Sequence, residues 1–237
     1  MRIIEKIRAK QKDLNGEPSI GIAFLGDSVT QGCFEDYEVS PTEIQTVFDS
    51  EKGYHAQIKR IFNILCPSVP INIINGGISG NGAVNGLSRL ERDILRFSPD
   101  LCVVCFGLND CNLEKLNDYR NAMGEIFDRL LIEDIEVIFL TPNMMSTEVS
   151  CHIQSELCRK SAQHCVSLQN AGVLDTVLDV AKEEARKRNI PICDCYAIWK
   201  KLYESGIKTT DLLYVNHPIP PMHNIFAWEL VKTMFEM

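Results

Sequence analysis

The feature that most constrains the fold is a series of five short apolar runs, separated from one another by longer segments with helical periodicity. The runs are Ser19–Leu25, Val69–Ile74, Leu101–Phe106, Ile135–Leu140 and Ile190–Cys193. They are apolar at nearly every position and rich in branched side chains, which is typical of parallel strands that are covered on both faces. We therefore predict a five-stranded parallel sheet.

The segments between the runs carry apolar residues at spacings of three and four, which predicts amphipathic helices. These segments are Gly53–Leu65, Asn85–Arg96, Leu116–Leu131 and Val173–Arg188. Repeated alternation of strand and helix predicts an α/β protein, namely a doubly wound, flavodoxin-like three-layer α/β/α sandwich in one domain over residues 1–237.

Three further segments complete the predicted organisation. Residues 1–14 have the pattern of an amphipathic helix, so we assign residues 1–17 to an N-terminal helical segment that precedes the first strand. Met222–Phe235 is predicted to be a closing helix. Residues 141–170 show no clear period, and their length predicts an insertion near the functional site with a helix in its second half.

Composition and charge exclude several classes of protein. No apolar run approaches the ~20 residues of a membrane span, and the first residues, MRIIEKIRAKQKDLNG, lack the apolar stretch of a signal peptide. We therefore expect a cytoplasmic protein with no membrane partner. The net charge is −8 and the basic residues are dispersed, which argues against a nucleic-acid partner. The oligomeric state cannot be read from the sequence.

Ten cysteines are present, a high number for a chain without an export signal. Disulfides are not expected in the reducing cytosol. Cys102 and Cys105 are an odd number of residues apart within a predicted strand, so their side chains should point to opposite faces. Cys193 and Cys195 have no second pair at a zinc-like spacing. We therefore expect the cysteines to be small buried apolar residues, with no metal site.

Small polar and glycine-rich segments follow the first three predicted strands. They are Gly26–Thr30, Asn75–Gly82 and Gly107–Asp110. In open parallel sheets ligands bind beyond the carboxyl ends of the strands, where these loops should meet. Ser28 in the first loop is a candidate nucleophile, although a serine at this position could also be no more than a helix N-cap.

The same loops, together with a C-terminal segment, resemble the four sequence blocks of the SGNH (GDSL-like) hydrolase family. The segments are GDSV, NGGISGNG, FGLND and NHPIPPMHNIFA, in the family's order. The resemblance implies a serine esterase with Ser28 as nucleophile and His217 as base. It also implies an oxyanion hole formed by the amides of Ser28 and Gly80 and the side chain of Asn109, with no metal or organic cofactor.

Two histidines compete for the role of base. His217 precedes Pro218, and this favours an extended loop conformation ahead of the last helix. His223 falls inside that predicted helix, where a packed or capping role is more common. We therefore predict that His217 is the base.

The sequence departs from the family pattern at the acid that normally lies three residues before the base. That position is Tyr214, which cannot supply a carboxylate. Asp211, six residues before His217, is the nearest acid and is our candidate for orienting the imidazole. The alternative is that a backbone carbonyl orients His217 and the enzyme operates with a Ser–His dyad.

The resemblance implies hydrolysis of short acyl esters, in particular acetyl esters, of small polar or carbohydrate alcohols. Two other classes of function compete with this hypothesis. A degenerate SGNH protein that binds ligand with little turnover is suggested by Tyr214. A nucleotide or flavin module is suggested by the glycine loop at residues 75–82, but this loop does not follow the dinucleotide-binding pattern.

Overall fold

A computed structural model describes residues 1–236. Its strands are β1 (Ile20–Gly26), β2 (Cys33–Ser40), β3 (Glu43–Phe48), β4 (Ile71–Gly77), β5 (Leu101–Cys105), β6 (Glu136–Leu140), β7 (Ile192–Cys193), β8 (Leu213–Tyr214) and β9 (His217–Pro218). Its α-helices are α1 (Arg2–Lys12), α2 (Ser28–Gln31), α3 (Tyr54–Leu65), α4 (Ala83–Asp93), α5 (Leu116–Ile132), α6 (Glu156–Asn170), α7 (Val173–Lys187), α8 (Cys195–Glu204) and α9 (His223–Glu236).

The central sheet has five strands in the order β4-β1-β5-β6-β7. All four pairings are parallel, which confirms the predicted sheet. Each of its strands corresponds to one of the apolar runs in the sequence. The carboxyl ends of β1, β4 and β5 therefore lie side by side, and the three polar loops leave the sheet at one edge.

Helices cover both faces of the sheet, as the three-layer prediction requires. Along β1, Ile22 and Phe24 belong to an apolar cluster that also contains residues of α1, α3 and α9. The alternate residues Ala23 and Leu25 belong to a second cluster with residues of α4, α5 and α7. Because side chains alternate along a strand, the uniformly apolar runs fill two cores at once.

Three elements were not predicted from the sequence. They are the antiparallel hairpin β2–β3, the short hairpin β8–β9 and helix α8. The N-terminal helix ends at Lys12, earlier than predicted, because the Asp13 carboxylate accepts the N–H groups of Asn15 and Gly16 and forms a turn. The helix expected in the second half of residues 141–170 is α6.

The cysteines largely follow the expectation that they are buried apolar residues. Seven of the ten are buried, and Cys151 is exposed. Within residues 1–236, no helix is both long and apolar enough to cross a membrane.

Candidate active site

The candidate nucleophile lies in the sharp turn between β1 and α2. Ser28 is the first residue of the four-residue helix α2, and Asp27 is its N-cap. The Asp27 carboxylate accepts the N–H of Val29 at 3.0 Å, which fixes the start of the helix. The Ser28 side chain therefore projects beyond the carboxyl end of β1.

His217 lies beside Ser28, although the two residues are 189 positions apart in the sequence. The Nε2 atom of His217 lies 2.9 Å from the Oγ atom of Ser28, a hydrogen-bonding distance. His217 begins β9, which pairs with β8 through a turn that contains Val215 at a φ of 53°. Ser28 and His217 are both buried, with relative exposures of 5% and 6%.

The carboxylate beside His217 is that of Asp36, not that of Asp211 as we had expected. The Oδ2 atom of Asp36 lies 3.4 Å from Nδ1 of His217, within the range of an ion pair. Asp211 is exposed at the end of a short 3-10 turn, Thr209–Asp211. Among the hydrogen bonds and ion pairs of residues 1–236, none joins Asp211 to His217. The connection from Asp211 to His217 folds back as the β8–β9 hairpin, and Asp211 lies before this hairpin, on the exposed 3-10 turn.

A β-bulge explains how Asp36 comes to face the site. Between Cys33 and Glu35, β2 contains one more residue than the opposite strand β3. In a regular strand, residues three apart point to opposite faces, and an extra residue shifts this alternation by one. As a result Cys33 and Asp36 both direct their side chains toward His217, and their ligand atoms lie within 4.8 Å of each other and of the ring.

The surroundings of His217 alter its affinity for a proton. Burial disfavours the charged imidazolium, but the Asp36 carboxylate and the Cys33 side chain favour it more strongly, and the pKa of His217 rises from 6.5 to about 10. A histidine with a raised pKa is a stronger proton acceptor once it is neutral. The site therefore contains a hydroxyl group next to a strong base.

The two other loops at this edge of the sheet present hydrogen-bond donors. Gly80 is exposed and has a φ of +75°, a backbone conformation that favours glycine. Asn109 is also exposed, and its Nδ2 atom donates to the carbonyl oxygen of Asn81 at 3.0 Å. This bond uses one of the two N–H groups of the side-chain amide and leaves the other available for a substrate.

Asp110 fixes the position of these loops relative to each other. Its Oδ1 atom accepts the N–H of Ala83, the first residue of α4, at 2.8 Å. Burial raises the pKa of the Asp110 carboxyl to about 7. The loop after β5 is thereby attached to the helix that follows the Gly80 loop.

Arg89 of α4 is hydrogen-bonded to the carboxyl ends of β1 and β4. The sequence around Arg89 did not indicate this role. Its guanidinium donates to the carbonyl oxygens of Gly76 at 2.5 Å and Gly26 at 2.8 Å. It also donates to the side chain of Asn81 at 2.9 Å. One buried side chain thus joins the ends of β1 and β4 to the Gly80 loop.

His223 has the capping role that was considered for it. Its side chain is fully buried, and its Nδ1 atom accepts the N–H of Tyr54, the first residue of α3, at 3.1 Å. Burial lowers the pKa of His223 to about 3, which keeps the ring neutral and able to accept this bond. His223 therefore stabilises the start of α3 and does not contact Ser28.

A groove of about 620 Å³ opens beside Asn109, between the loop after β5 and helix α6. Its lining combines polar and apolar side chains. The lining residues are Leu108, Asn109, Cys111, Asn112, Leu113, Met145, Ser161, His164, Cys165, Leu168, Val173 and Asn216. Residues 141–170 contribute five of them, so the insertion does lie near the site.

The sequence model of the GDSL-like lipase/acylhydrolase family matches residues 24–225, a range that contains Ser28, Gly80, Asn109 and His217. The chain belongs to this family. The match confirms the resemblance seen in the four sequence blocks. The description of this family names lipases and acylhydrolases.

Several proteins similar to this GDSL-like chain are esterases. An acetylxylan esterase of Geobacillus stearothermophilus is 30% identical over 90 residues, which are 38% of this chain and 39% of that protein. The aligned segment thus spans about two-fifths of the relative's length. The crystal structure of an acetylxylan esterase from the same organism has a TM-score of 0.68 at 19% identity and covers 92% of this chain and 95% of that one.

A two-domain esterase active on acetylated mannans, crystallised with mannopentaose, also has a TM-score of 0.68, at 18% identity. The match covers 98% of this chain and 52% of that one. At such identities the likeness establishes the fold. The fold is the five-stranded α/β/α sandwich described above.

Proposed function

We propose that this protein is a serine esterase that hydrolyses short acyl esters, in particular acetyl esters, of small polar or carbohydrate alcohols. The observation that carries the proposal is the 2.9 Å contact between Ser28 Oγ and His217 Nε2 at the carboxyl edge of the sheet. A serine hydrolase requires a nucleophile within hydrogen-bonding distance of a base and donors for the oxyanion. Ser28 and His217 supply the first two. The loops that carry Gly80 and Asn109, our candidates for the donors, follow the two strands that flank β1.

The reaction proceeds through an acyl-enzyme. Ser28 Oγ attacks the ester carbonyl carbon while Nε2 of His217 takes the hydroxyl proton. The tetrahedral intermediate collapses as His217 gives this proton to the departing alcohol oxygen, which leaves the acyl group on Ser28. His217 then takes a proton from water, the resulting hydroxide attacks the acyl carbon, and the acid departs as Ser28 recovers its proton.

The oxyanion that forms in both steps is stabilised by the amides of Ser28 and Gly80 and by the free N–H of the Asn109 side chain. Such donors are worth about 3–4 kcal/mol each in comparable sites when they are fixed in advance. Arg89 and Asp110 hold the loops that carry them. The Asp36 carboxylate favours the tautomer with a proton on Nδ1, so that Nε2 can accept the proton of Ser28.

The substrate class is supported by the groove and by the similar proteins. Ser161, His164 and Asn112 supply hydrogen-bonding side chains in the groove next to Asn109, which suits a hydroxyl-rich alcohol. The similar proteins are named as esterases of acetylated xylan and mannan. The competing hypothesis of a protein without turnover rested on Tyr214, and Asp36 now provides the carboxylate that Tyr214 cannot.

The Ser28→Ala variant tests the proposal. We expect it to lose hydrolysis of p-nitrophenyl acetate and labelling by a fluorophosphonate probe, because among the described residues Ser28 carries the hydroxyl group that is hydrogen-bonded to His217 Nε2. Circular dichroism and the melting temperature should remain close to those of the wild type. If the variant hydrolyses the ester at the wild-type rate, the protein is not a serine esterase of this type.

A further inference from the structure

Among residues 1–236, one group of three metal-binding side chains has its ligand atoms within 4.8 Å of one another. It consists of the thiol of Cys33, the carboxylate of Asp36 and a ring nitrogen of His217. The first two come from the bulged part of β2, and the third comes from β9. Asp36 faces Nδ1 of the ring, whereas Ser28 faces the other nitrogen, Nε2.

The chemistry of the three groups suits one kind of ion. Thiolate, imidazole and carboxylate together are typical ligands of Zn²⁺, whereas Mg²⁺ and Ca²⁺ prefer oxygen ligands alone. Zn²⁺ binds these atoms at about 2.0–2.3 Å, which places the ligands roughly 3.5 Å apart in a tetrahedron. The pair Asp36 Oδ2 and His217 Nδ1 is already 3.4 Å apart. The separations that involve the Cys33 thiol are at most 4.8 Å, so they need to shorten by no more than about 1.3 Å.

A second observation points to a ligand at this place. The Nδ1 atom of His217 is buried and has no hydrogen-bond partner among the described residues, although Oδ2 of Asp36 lies 3.4 Å away, within the range of an ion pair. A buried polar nitrogen without a partner is costly. Cys33 is fully buried and Asp36 partly so, and each offers a ligand atom within 4.8 Å of a ring nitrogen of His217.

We propose that Cys33, Asp36 and Nδ1 of His217 form a site for Zn²⁺ or a similar soft divalent cation, and that occupation of this site switches the esterase off. The switching rests on the proposed function, but the binding site does not. The ion takes no part in ester hydrolysis, but the proposed site departs from our expectation that the cysteines provide no metal ligand.

Inhibition follows from the tautomers of imidazole. A neutral imidazole carries one proton, on either Nδ1 or Nε2. When the lone pair of Nδ1 binds the cation, the proton resides on Nε2. Nε2 then donates to Ser28 and cannot accept its proton. The cation also occupies the place of the Asp36 carboxylate beside the ring, so the hydroxyl of Ser28 loses its base.

Binding can be measured without reference to activity. Co²⁺ is titrated into the reduced protein, and a thiolate-to-cobalt absorption band is expected in the near ultraviolet. Cys33→Ala should abolish this band. Cys151→Ala is the matched control, because Cys151 is the exposed cysteine and the most accessible competing thiol; this variant should retain the band.

Inhibition is measured in parallel with p-nitrophenyl acetate. Zn²⁺ should inhibit the wild type and the Cys151→Ala variant, and EDTA should reverse the effect. Removal of the Cys33 ligand should weaken inhibition by at least about tenfold, when the inhibited rate of each protein is expressed as a fraction of its own metal-free rate. Mg²⁺ should not inhibit either protein.

The cobalt-binding and inhibition measurements distinguish failure of the metal-site proposal from failure of the proposed esterase function. A cobalt band that is lost in Cys33→Ala, in a protein with no esterase activity, would support the metal site and refute the proposed function. The absence of a band, or equal inhibition of Cys33→Ala and wild type by Zn²⁺, would refute the metal site and leave the esterase unaffected.

Discussion

At the scale of single residues, we expect His217, the proposed base, to determine how esterase activity depends on pH. The base must be neutral to accept the proton of Ser28, and the neighbours of His217 raise its pKa to about 10. Activity is therefore absent where the ring is charged and increases as pH rises through the pKa. We expect the acidic limb of kcat/KM to have its midpoint well above pH 6.5, measured with a p-nitrophenyl ester and corrected for spontaneous hydrolysis.

The variant Asp36→Asn tests the origin of this limb. Loss of the negative charge should lower the pKa of His217 and move the limb to lower pH. Turnover should fall by at least about 100-fold, because the imidazole loses the group that orients it. Asp211→Asn is the control and should change neither quantity. A larger effect at Asp211 than at Asp36 would show that the carboxylate has been misidentified.

The Asp110 carboxyl should make the stability of the fold, instead of its activity, depend on pH. Burial raises its pKa from 3.8 to about 7, so between these values the unfolded chain releases a proton that the folded protein retains. The contribution of Asp110 to the free energy of unfolding therefore decreases as pH rises from about 4 to 7. Asp110→Asn keeps the acceptor for the Ala83 N–H and removes the charge. The melting temperature of the variant relative to wild type should increase between pH 5 and pH 8, as measured by calorimetry; a constant difference would contradict this prediction.

The sequence allowed the prediction of some site residues better than others. Ser28, Gly80 and Asn109 follow apolar runs, so their positions at one edge of the sheet could be derived from the strands. Asp36 could not be found in this way. It stands among Glu35, Tyr37 and Glu38 in an unremarkable acidic segment, and only the bulge, which depends on the pairing with β3, directs it toward His217.

At the scale of secondary-structure elements, the β2–β3 hairpin is what brings the carboxylate to the site. Its outer residues are largely exposed, and its sequence lacks the continuous apolar character by which the central strands were recognised. The hairpin is held by α6, where the hydroxyl of Ser155 donates to the carboxylate of Glu38. The thiol of Cys158 also lies 3.9 Å from the carbonyl oxygen of Asp36. The insertion at residues 141–170 thus supports the acid as well as lining the groove.

Gly32 sets the direction in which the hairpin leaves α2, and its replacement gives a prediction at this scale. Its φ is +95°, and a Cβ atom there would lie 3.0 Å from the carbonyl oxygen of Asp49. We expect Gly32→Ala to reduce the free energy of unfolding by about 1–2 kcal/mol because the backbone conformation is unfavourable for alanine. Turnover should also fall, because the strand carrying Asp36 is displaced.

The matched control is Gly206→Ala. Gly206 has a nearly equal φ of +92°, and a Cβ atom there would meet nothing within 4 Å. This variant should lose similar stability in urea denaturation but keep the turnover of the wild type. Equal turnover in both variants would mean that the hairpin tolerates the change without moving Asp36.

At the scale of the whole molecule, the sheet and its two layers of helices were predictable because each central strand must be apolar on both faces. The two hairpins and α8 could not be predicted from the sequence, because their burial depends on contacts between distant parts of the chain. The packing of these elements leaves a groove of about 620 Å³ beside Asn109, and its lining contains both polar and apolar side chains. A groove with this lining offers no continuous apolar channel for a long acyl chain.

We therefore expect kcat/KM to be highest for acetyl or butyryl esters. Each further methylene group of the acyl chain should either remain in water, without the ~0.8 kcal/mol that its burial would contribute to binding, or collide with the side chains around the acyl group. We therefore expect kcat/KM to fall steeply between butyryl and octanoyl esters. A series of p-nitrophenyl esters of increasing chain length measures this directly. An optimum at ten carbons or more would indicate that residues 141–170 form an apolar channel, and the assignment to small esters would have to be withdrawn.

The base comes from a different part of the chain than the rest of the site. The nucleophile, the carboxylate and the oxyanion donors all lie within the first 110 residues, whereas His217 is 189 residues from Ser28 and is carried by a two-stranded ribbon near the other end. During synthesis on the ribosome, the nascent chain thus acquires its nucleophile early and its proton acceptor last. In the proposed esterase, a chain that lacks His217 has a serine without a base and cannot cleave esters. Hydrolysis is then expected only after the ribbon that carries His217 has docked beside Ser28, so activity would report this long-range contact.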